Sequence, residues 1–395
     1  MIDESLLDAP DELLRADPHG MLRAVAASGA QVRTAARGAE ESDLGRLTPE
    51  GRPGTLLVAG TGPATPLTAG LLTALAGDSV RVAHLRPTGP LAAHGALTWP
   101  LPRWVGSLDL LLLTTSDGSE PGLALLVEAA FRRGCAVAVI APADSPLAGV
   151  AAHRRSPLIP LTPAPYLETG GPAATPGHAW ALVTPALMLA DRLGLLDPAP
   201  GTGPDEDPHA SPAALQLLAD RLDTVAERCG PTVRTSDNPA KTLASAFSDT
   251  LPLLWSEGPV AGAAARHAAA TLTALAGRPA LAAELPEALD SHRALLTGNL
   301  AAAPGGDPDD FFRDRVDEPP PLHARVLLLR SPLPPTDQGT GSAADSARDL
   351  ALGHGVAFGE PAIAEGGGLL ATAAELIAQL DFAAVYLALA TGARG

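Results

Sequence analysis

The chain has 395 residues, 46% of them hydrophobic, and a mean hydropathy of +0.15. That much apolar surface excludes a disordered tail, and the length suits two domains better than one. Twenty-seven Lys and Arg against 44 Asp and Glu leave a net charge of −17, which excludes nucleic acid and anionic membranes as favoured partners.

The opening segment, residues 1–20, is acidic where a secretory leader would be basic and then apolar, so a cytoplasmic protein is expected. The apolar windows 258–276 and 368–392 are interrupted by Arg266 and His267 and by Glu375, Gln379 and Asp381, so no membrane span is expected. Residues 1–40 read as helices, with Met21, Leu22, Val25 and Val32 at helical spacing. Short apolar runs follow at Thr55–Ala59, Val80–Leu85, Leu108–Thr115, Ala136–Ala141 and Leu158–Leu161. They alternate with helical stretches at 66–76, 121–133 and 178–194. Such alternation predicts an α/β domain whose parallel sheet is covered by helices on both faces.

The segment 197–212 is rich in Pro and Gly with no period, and reads as a linker between a domain at 1–196 and a second at 213–395. After a helix at 213–228 the alternation resumes, with strands at Leu251–Trp255, Ala280–Leu285 and Arg325–Leu329 and helices at 260–276, 286–297, 342–353 and 368–391. The acidic, Pro-rich stretch 305–321 reads as a loop; Asp307, Asp309 and Asp310 match calcium-loop acids in number only.

Two turns could carry chemistry. Gly60-Thr61-Gly62 directly follows the first strand, and glycines there let backbone approach a ligand while the next helix aims its N–H groups at an anion. A tight βα turn, a phosphate-ester site and a dinucleotide fingerprint lacking its third glycine all fit this turn. The second turn is Thr114-Thr-Ser-Asp-Gly-Ser-Glu120, before Pro121 opens a helix. Hydroxyls of Thr114, Ser116 and Ser119 with turn N–H groups would form a neutral cradle for phosphate; simple N-capping by Ser119 is the alternative.

Thr114–Glu120 resembles the Ser-x-Ser-Gly-Asn-Thr-Glu loop of sugar-isomerase (SIS) domains. Asn238-Pro-Ala-Lys241 before the Leu251–Trp255 strand resembles the opening of the second domain in the bifunctional phosphoglucose/phosphomannose isomerases. Met21 with Gln31, Pro279-Ala280, Leu285-Pro-Glu287, Asp381-Phe382 and Val385-Tyr-Leu-Ala388 extend the resemblance over most of the chain. It implies two SIS domains and a sugar-phosphate ligand; no cofactor and no metal are expected, and a homodimer is expected because alanine-rich helices such as 261–276 and 370–391 allow close packing between subunits or domains.

The resemblance also implies aldose-ketose isomerisation through an enediol, which needs a carboxylate base and a histidine at the sugar ring. These requirements are poorly met. The glycine of the phosphate loop is Asp117, the serine of the first turn falls on Ala64 with Thr65 as a substitute, and a substrate arginine falls near Gly177, leaving His178 as the polar replacement. The base falls on Ala274 and the histidine on Asp290, so the remaining catalytic pair is Glu287 with His292, five residues apart. The expected phosphosugar contacts are Gly60, Gly62, Thr65, Thr114, Ser116, Ser119 and His178. Three functions follow: a phosphosugar-binding protein without catalysis, an active isomerase using Glu287 and His292, or a protein-interaction role with the pocket closed by Asp117.

The other polar residues carry weaker signals. Lys241 is the sole lysine, so any Schiff-base or lysine-base chemistry would have to use it. Following Asn238, a good N-cap, it reads as a solvated first-turn lysine or a contact at the domain junction. His267 and His354 lack metal-ligand spacing and read as structural or solvated. Cys135 and Cys229 are too few for a disulfide framework and unclustered for zinc, so both are expected to be buried thiols.

Overall fold

The computed structural model describes residues 3–42, 44, 51–89, 95–161, 176–197, 210–298, 300, 322–332 and 342–392. The chain divides into two compact units. The N-terminal unit comprises His19–Glu227 and Gly367–Ala374; the C-terminal unit comprises Met1–Pro18, Arg228–Gly366 and Glu375–Gly395. Four helices precede the first strand: α1 (Glu4–Leu7), α2 (Pro10–Ala16), α3 (Met21–Ala26) and α4 (Ser28–Glu41).

In the N-terminal unit, strands β1 (Thr55–Gly60), β2 (Arg81–Leu85), β3 (Asp109–Thr114), β4 (Ala136–Ala141) and β5 (Leu158–Pro160) form a parallel sheet in the order β2-β1-β3-β4-β5. Successive side chains of a strand point to opposite faces. Leu57, Ala59, Leu111, Leu113, Val137 and Val139 therefore share one face, packing with Leu123, Leu126 and Val127 of helix α6 (Pro121–Arg132) and Leu147 and Ala151 of α7 (Pro146–His153). Helices α5 (Ala64–Ala76) and α8 (Ala179–Arg192) pack together, and α8 also packs on α4. Helix α7 lies outside the expected elements. Its start carries a readable signal, Ser145 capping Ala148 N–H at 3.2 Å with Pro146 at the first helical position.

The C-terminal unit repeats this plan, with β6 (Thr250–Glu257), β7 (Leu281–Glu284), β8 (His323–Arg330) and β9 (Ala357–Gly359) in the parallel order β7-β6-β8-β9. Leu253, Trp255, Val326 and Leu328 face the helix α14 (Ala344–Gly353) through Ala344, Ala347 and Ala351. Pro259–Ala276 forms α11. The helix expected over 286–297 is two short ones, α12 (Ala288–Ser291) and α13 (Arg293–Thr297), separated at His292.

Both expected boundaries of the linker meet a different grouping. Residues 198–209 and the loop 305–321 lie outside the described residues. Helix α9 (Pro212–Arg228), expected with the second domain, groups mainly with the N-terminal unit, where Arg33 of α4 donates to Asp220 and Asp223 at 2.7 Å each. The first residues group with the C-terminal unit. Asp3 N–H donates to Ala390 O at 3.0 Å, Ser245 Oγ to Glu4 at 2.8 Å, and Thr235 N–H to Asp8 at 2.8 Å.

Helix α15 (Gly368–Thr391) is, among the described residues, the one helix long and apolar enough to cross a membrane by length and composition. Of its most apolar window, 94% is buried inside the structure, as for a core helix. Its polar residues have partners: Asp381 pairs with His267 of α11 at 2.8 Å, and Gln379 Nε2 donates to Ala362 O at 3.1 Å. Most residues of α11 and nearly all of the described residues of α15 are buried within the chain, while Ala270 and Ala274 of α11 remain exposed.

Lys241 is not solvated. It lies in α10 (Pro239–Ser248), whose N-cap Asn238 accepts from Ala240 and Lys241 N–H at 3.0 Å each, and it is fully buried. Its Nζ donates to Pro231 O at 2.8 Å and Val233 O at 2.6 Å and lies 5.5 Å from the ring centroid of Tyr386. Tyr386 in turn donates to Cys229 O at 2.6 Å. Both cysteines are free and buried, as expected, with their thiols pushed up to about 11 by desolvation, so neither supplies a thiolate at neutral pH.

Candidate functional site

In the order β2-β1-β3-β4-β5, the direction in which successive strands are added reverses between β1 and β3, so the loops leaving their carboxyl ends diverge and open a crevice. The two turns singled out in the sequence are these loops. Gly60 is paired with Thr114 across β1 and β3, and a Cβ at residue 60 would lie 1.9 Å from Thr114 O and 2.7 Å from Thr65 Oγ1. A backbone atom cannot step aside as a flexible side chain can, so only glycine fits. Gly60→Ala is expected to cost at least the roughly 1–3 kcal/mol typical of overpacking, read as a lowered thermal midpoint. Gly62 is required for a different reason, its φ of +79°.

Beneath the loop, Thr65 and Thr114 are buried, and their hydroxyls meet at 3.0 Å. They brace the turn and face each other. Above them runs a directed chain of hydroxyls. Thr115 Oγ1 donates to Asp117 Oδ1 at 3.0 Å, so Thr61 Oγ1, 3.0 Å away, must be the donor to Thr115. Gly118 N–H also donates to Thr115 Oγ1, at 3.1 Å. Ser119 gives Asp117 its N–H at 3.2 Å and its hydroxyl at 2.8 Å. Ser116 is exposed on the same turn. Gly118, with φ +63°, packs where a Cβ would strike Ser145 Oγ at 2.4 Å, which fixes the loop against the start of α7.

Thr61 and Thr115 are not among the expected site residues. Thr115 is nevertheless the hub of the network, and nothing in the sequence separates it from Thr114.

His178 immediately precedes α8, and its Nε2 is buried with no hydrogen-bond partner. Burial pushes the imidazole below its ordinary range, which keeps it neutral at pH 7. Gln31, also buried, has both amide atoms without a partner.

Glu287 and His292 bracket α12. Glu287 is exposed, whereas His292 is half-buried and its Nδ1 accepts from Trp255 Nε1 at 2.9 Å. Indole N–H is a donor only, so the imidazole is held as the Nε2–H tautomer. Desolvation pushes His292 below its ordinary range, in the same sense. Among the described residues no hydrogen bond joins Glu287 to His292.

The C-terminal sheet has its own crevice, between β6 and β8. There the buried carboxylate of Glu257 accepts from Ala343 N–H at 2.7 Å, from Ser342 Oγ at 2.9 Å and from Arg330 Nε at 3.1 Å. Sequence reading offers no hint of this cluster. Among the described residues, no group of three or more His, Cys, Asp or Glu is placed to hold a metal ion.

Residues 236–394 match the family model of the bacterial phospho-glucose isomerase C-terminal SIS domain. That match covers 159 of the 395 residues and shows residues 236–394 to be similar to an SIS domain. Solved structures place both units in the same fold. A hypothetical protein from Thermus thermophilus aligns with a TM-score of 0.59 at 12% identity, over 98% of this chain and 89% of that one. A protein of Clostridium difficile 630 named as a phosphosugar isomerase gives 0.57 at 11% identity, over 94% and 92%. The C-terminal domain of glucosamine-fructose-6-phosphate aminotransferase from Francisella tularensis gives 0.53 at 11%, over 95% and 97%. No curated protein matches by sequence. The parallel sheets flanked by helices expected for both domains are present.

Proposed function

We propose that this chain is a double-SIS protein that binds a sugar phosphate in the crevice between β1 and β3 and has lost aldose-ketose isomerisation. The observation that carries the reading is the Thr114–Glu120 loop, braced by the Gly60 close approach at the carboxyl end of the sheet. In this reading Ser116 Oγ and turn N–H groups hold the phosphate at the start of α6, where the helix dipole favours an anion, while Ser119 gives its N–H and hydroxyl to Asp117 and positions the loop. Thr65 and Thr114 support the site from beneath and make no direct contact. His178, neutral and with a buried Nε2 that has no hydrogen-bond partner, is offered as a partner for a sugar hydroxyl.

The loss of catalysis is supported by the state of the proposed pair. A base must reach the proton that it removes, and Glu287 is exposed at the start of a four-residue helix while His292 is engaged by Trp255. Fructose 6-phosphate at a hundredfold excess over its dissociation constant should stabilise the protein by about 2.7 kcal/mol, read as a thermal shift. Absence of any shift with fructose 6-phosphate and mannose 6-phosphate would overturn binding. Coupled turnover of either sugar, abolished by Glu287→Gln, would overturn the loss of catalysis.

A further inference from the structure

We infer that the crevice at β1 and β3 takes a phosphate ester only with a proton on the phosphate, because the loop that meets it already carries an anion of its own, Asp117. The inference rests on the phosphosugar reading and names the charge state of the ligand.

Three donor groups of this loop, Ser119 N–H, Ser119 Oγ–H and Thr115 Oγ–H, point at the Asp117 carboxylate. They are the kind of donor that a phosphate oxygen would otherwise use. The charged groups of the turns that meet here are all acidic. The β1–α5 turn, residues 60–63, holds none; the β4–α7 turn, residues 141–147, which packs on Gly118, holds Asp144; the loop itself adds Glu120, whose carboxylate accepts from Gly95 N–H at 2.9 Å. These three turns contain no Lys or Arg. A dianion would enter with no counter-charge from any of them and with a carboxylate beside it.

A monoprotonated phosphate meets different terms. Its P–O–H donates to a carboxylate oxygen of Asp117, while its remaining oxygens accept from Ser116 and the turn N–H groups. The carboxylate, an acceptor only when ionised, becomes a partner where it would have been a repulsion. Sulfate offers no such proton at neutral pH.

The C-terminal unit offers a contrast, where β6 and β8 end at their own crevice. There Glu257 accepts from a helix-start N–H, a serine hydroxyl and an arginine, so that carboxylate has a cationic partner of its own. Glu257 is buried, whereas Asp117 lies exposed at the loop surface, within reach of a ligand.

The test uses the full chain and isothermal titration with fructose 6-phosphate and with inorganic sulfate between pH 5.5 and 8. Phosphate esters lose their second proton at about pH 6. Affinity for fructose 6-phosphate should therefore fall about tenfold per pH unit above ~6.5, and sulfate should not bind. Asp117→Asn, which keeps the shape and removes the charge, should flatten the pH profile and admit sulfate; Asp117→Gly should do the same without the side chain. Equal profiles for the parent and both variants would overturn the inference and leave the phosphosugar reading standing. Binding to none of the three proteins would overturn both.

Discussion

His267→Leu is expected to destabilise the C-terminal unit by about 3–5 kcal/mol, the cost of leaving a buried charged group without its partner. Its imidazole Nε2 lies 2.8 Å from Asp381 Oδ1, and the side chains are only 6% and 2% exposed. Water therefore cannot substitute for the lost bond. Asp381 sits in the middle of α15, where the backbone N–H groups are spent on the helix's own bonds and none can turn to its carboxylate. Replacing both, His267→Leu with Asp381→Ala, should recover most of the loss, since two apolar side chains that together match the volume of the pair pack without an orphaned charge. Urea denaturation of the two single variants and the double variant measures the coupling. Additive losses would show that the pair contributes nothing beyond its packing.

The second large effect is expected at Lys241. Lys241→Met keeps the length of the side chain and deletes both hydrogen bonds to the 231–233 segment, a loss of about 2–3 kcal/mol for charge-assisted bonds to carbonyls. The lone lysine supplies a second readout. An amine-reactive reagent applied to the folded protein should leave Lys241 unmodified and label it only as denaturant opens the unit. Rapid native labelling at residue 241, seen by peptide mass mapping, would contradict its burial.

These two residues also show where sequence reading stops. A lysine three residues after an N-cap reads as solvated because the first turn of a helix is commonly exposed. What buries this one is Tyr386, 145 positions later, and a turn whose carbonyls converge on it. The strands are legible because Leu-rich and Val-rich runs bounded by Gly and Pro have few alternatives. Thr55, Asp109 and Ala136 begin strands within a residue or so of where the composition places them. Helix α7 is not, since an alanine-rich segment presents no polar face to give a period. In the crevice the loop itself is legible, but not the direction of its hydrogen bonds. Asp117 reads as a source of repulsion; only the folded turn reveals that it draws Thr115 and Ser119 to itself. The Glu257 cluster joins residues 73 and 85 positions apart, brought together by the β6–β8 register and by the segment that opens α14.

The grouping of residues 3–18 with the C-terminal unit has a consequence for the order in which the protein can be made. Their partners include Ser245, Thr235 and, at the far end of α15, Ala390. Translation proceeds at about 5–20 residues per second, so roughly 20–80 seconds separate the emergence of Glu4 from that of Ala390. During that interval Leu7 and Leu13, both fully buried at the end, have no finished surface to enter. Most of the N-terminal unit, all but its Gly367–Ala374 segment, emerges well before the last helix, which the C-terminal unit must await with α1 and α2 already made.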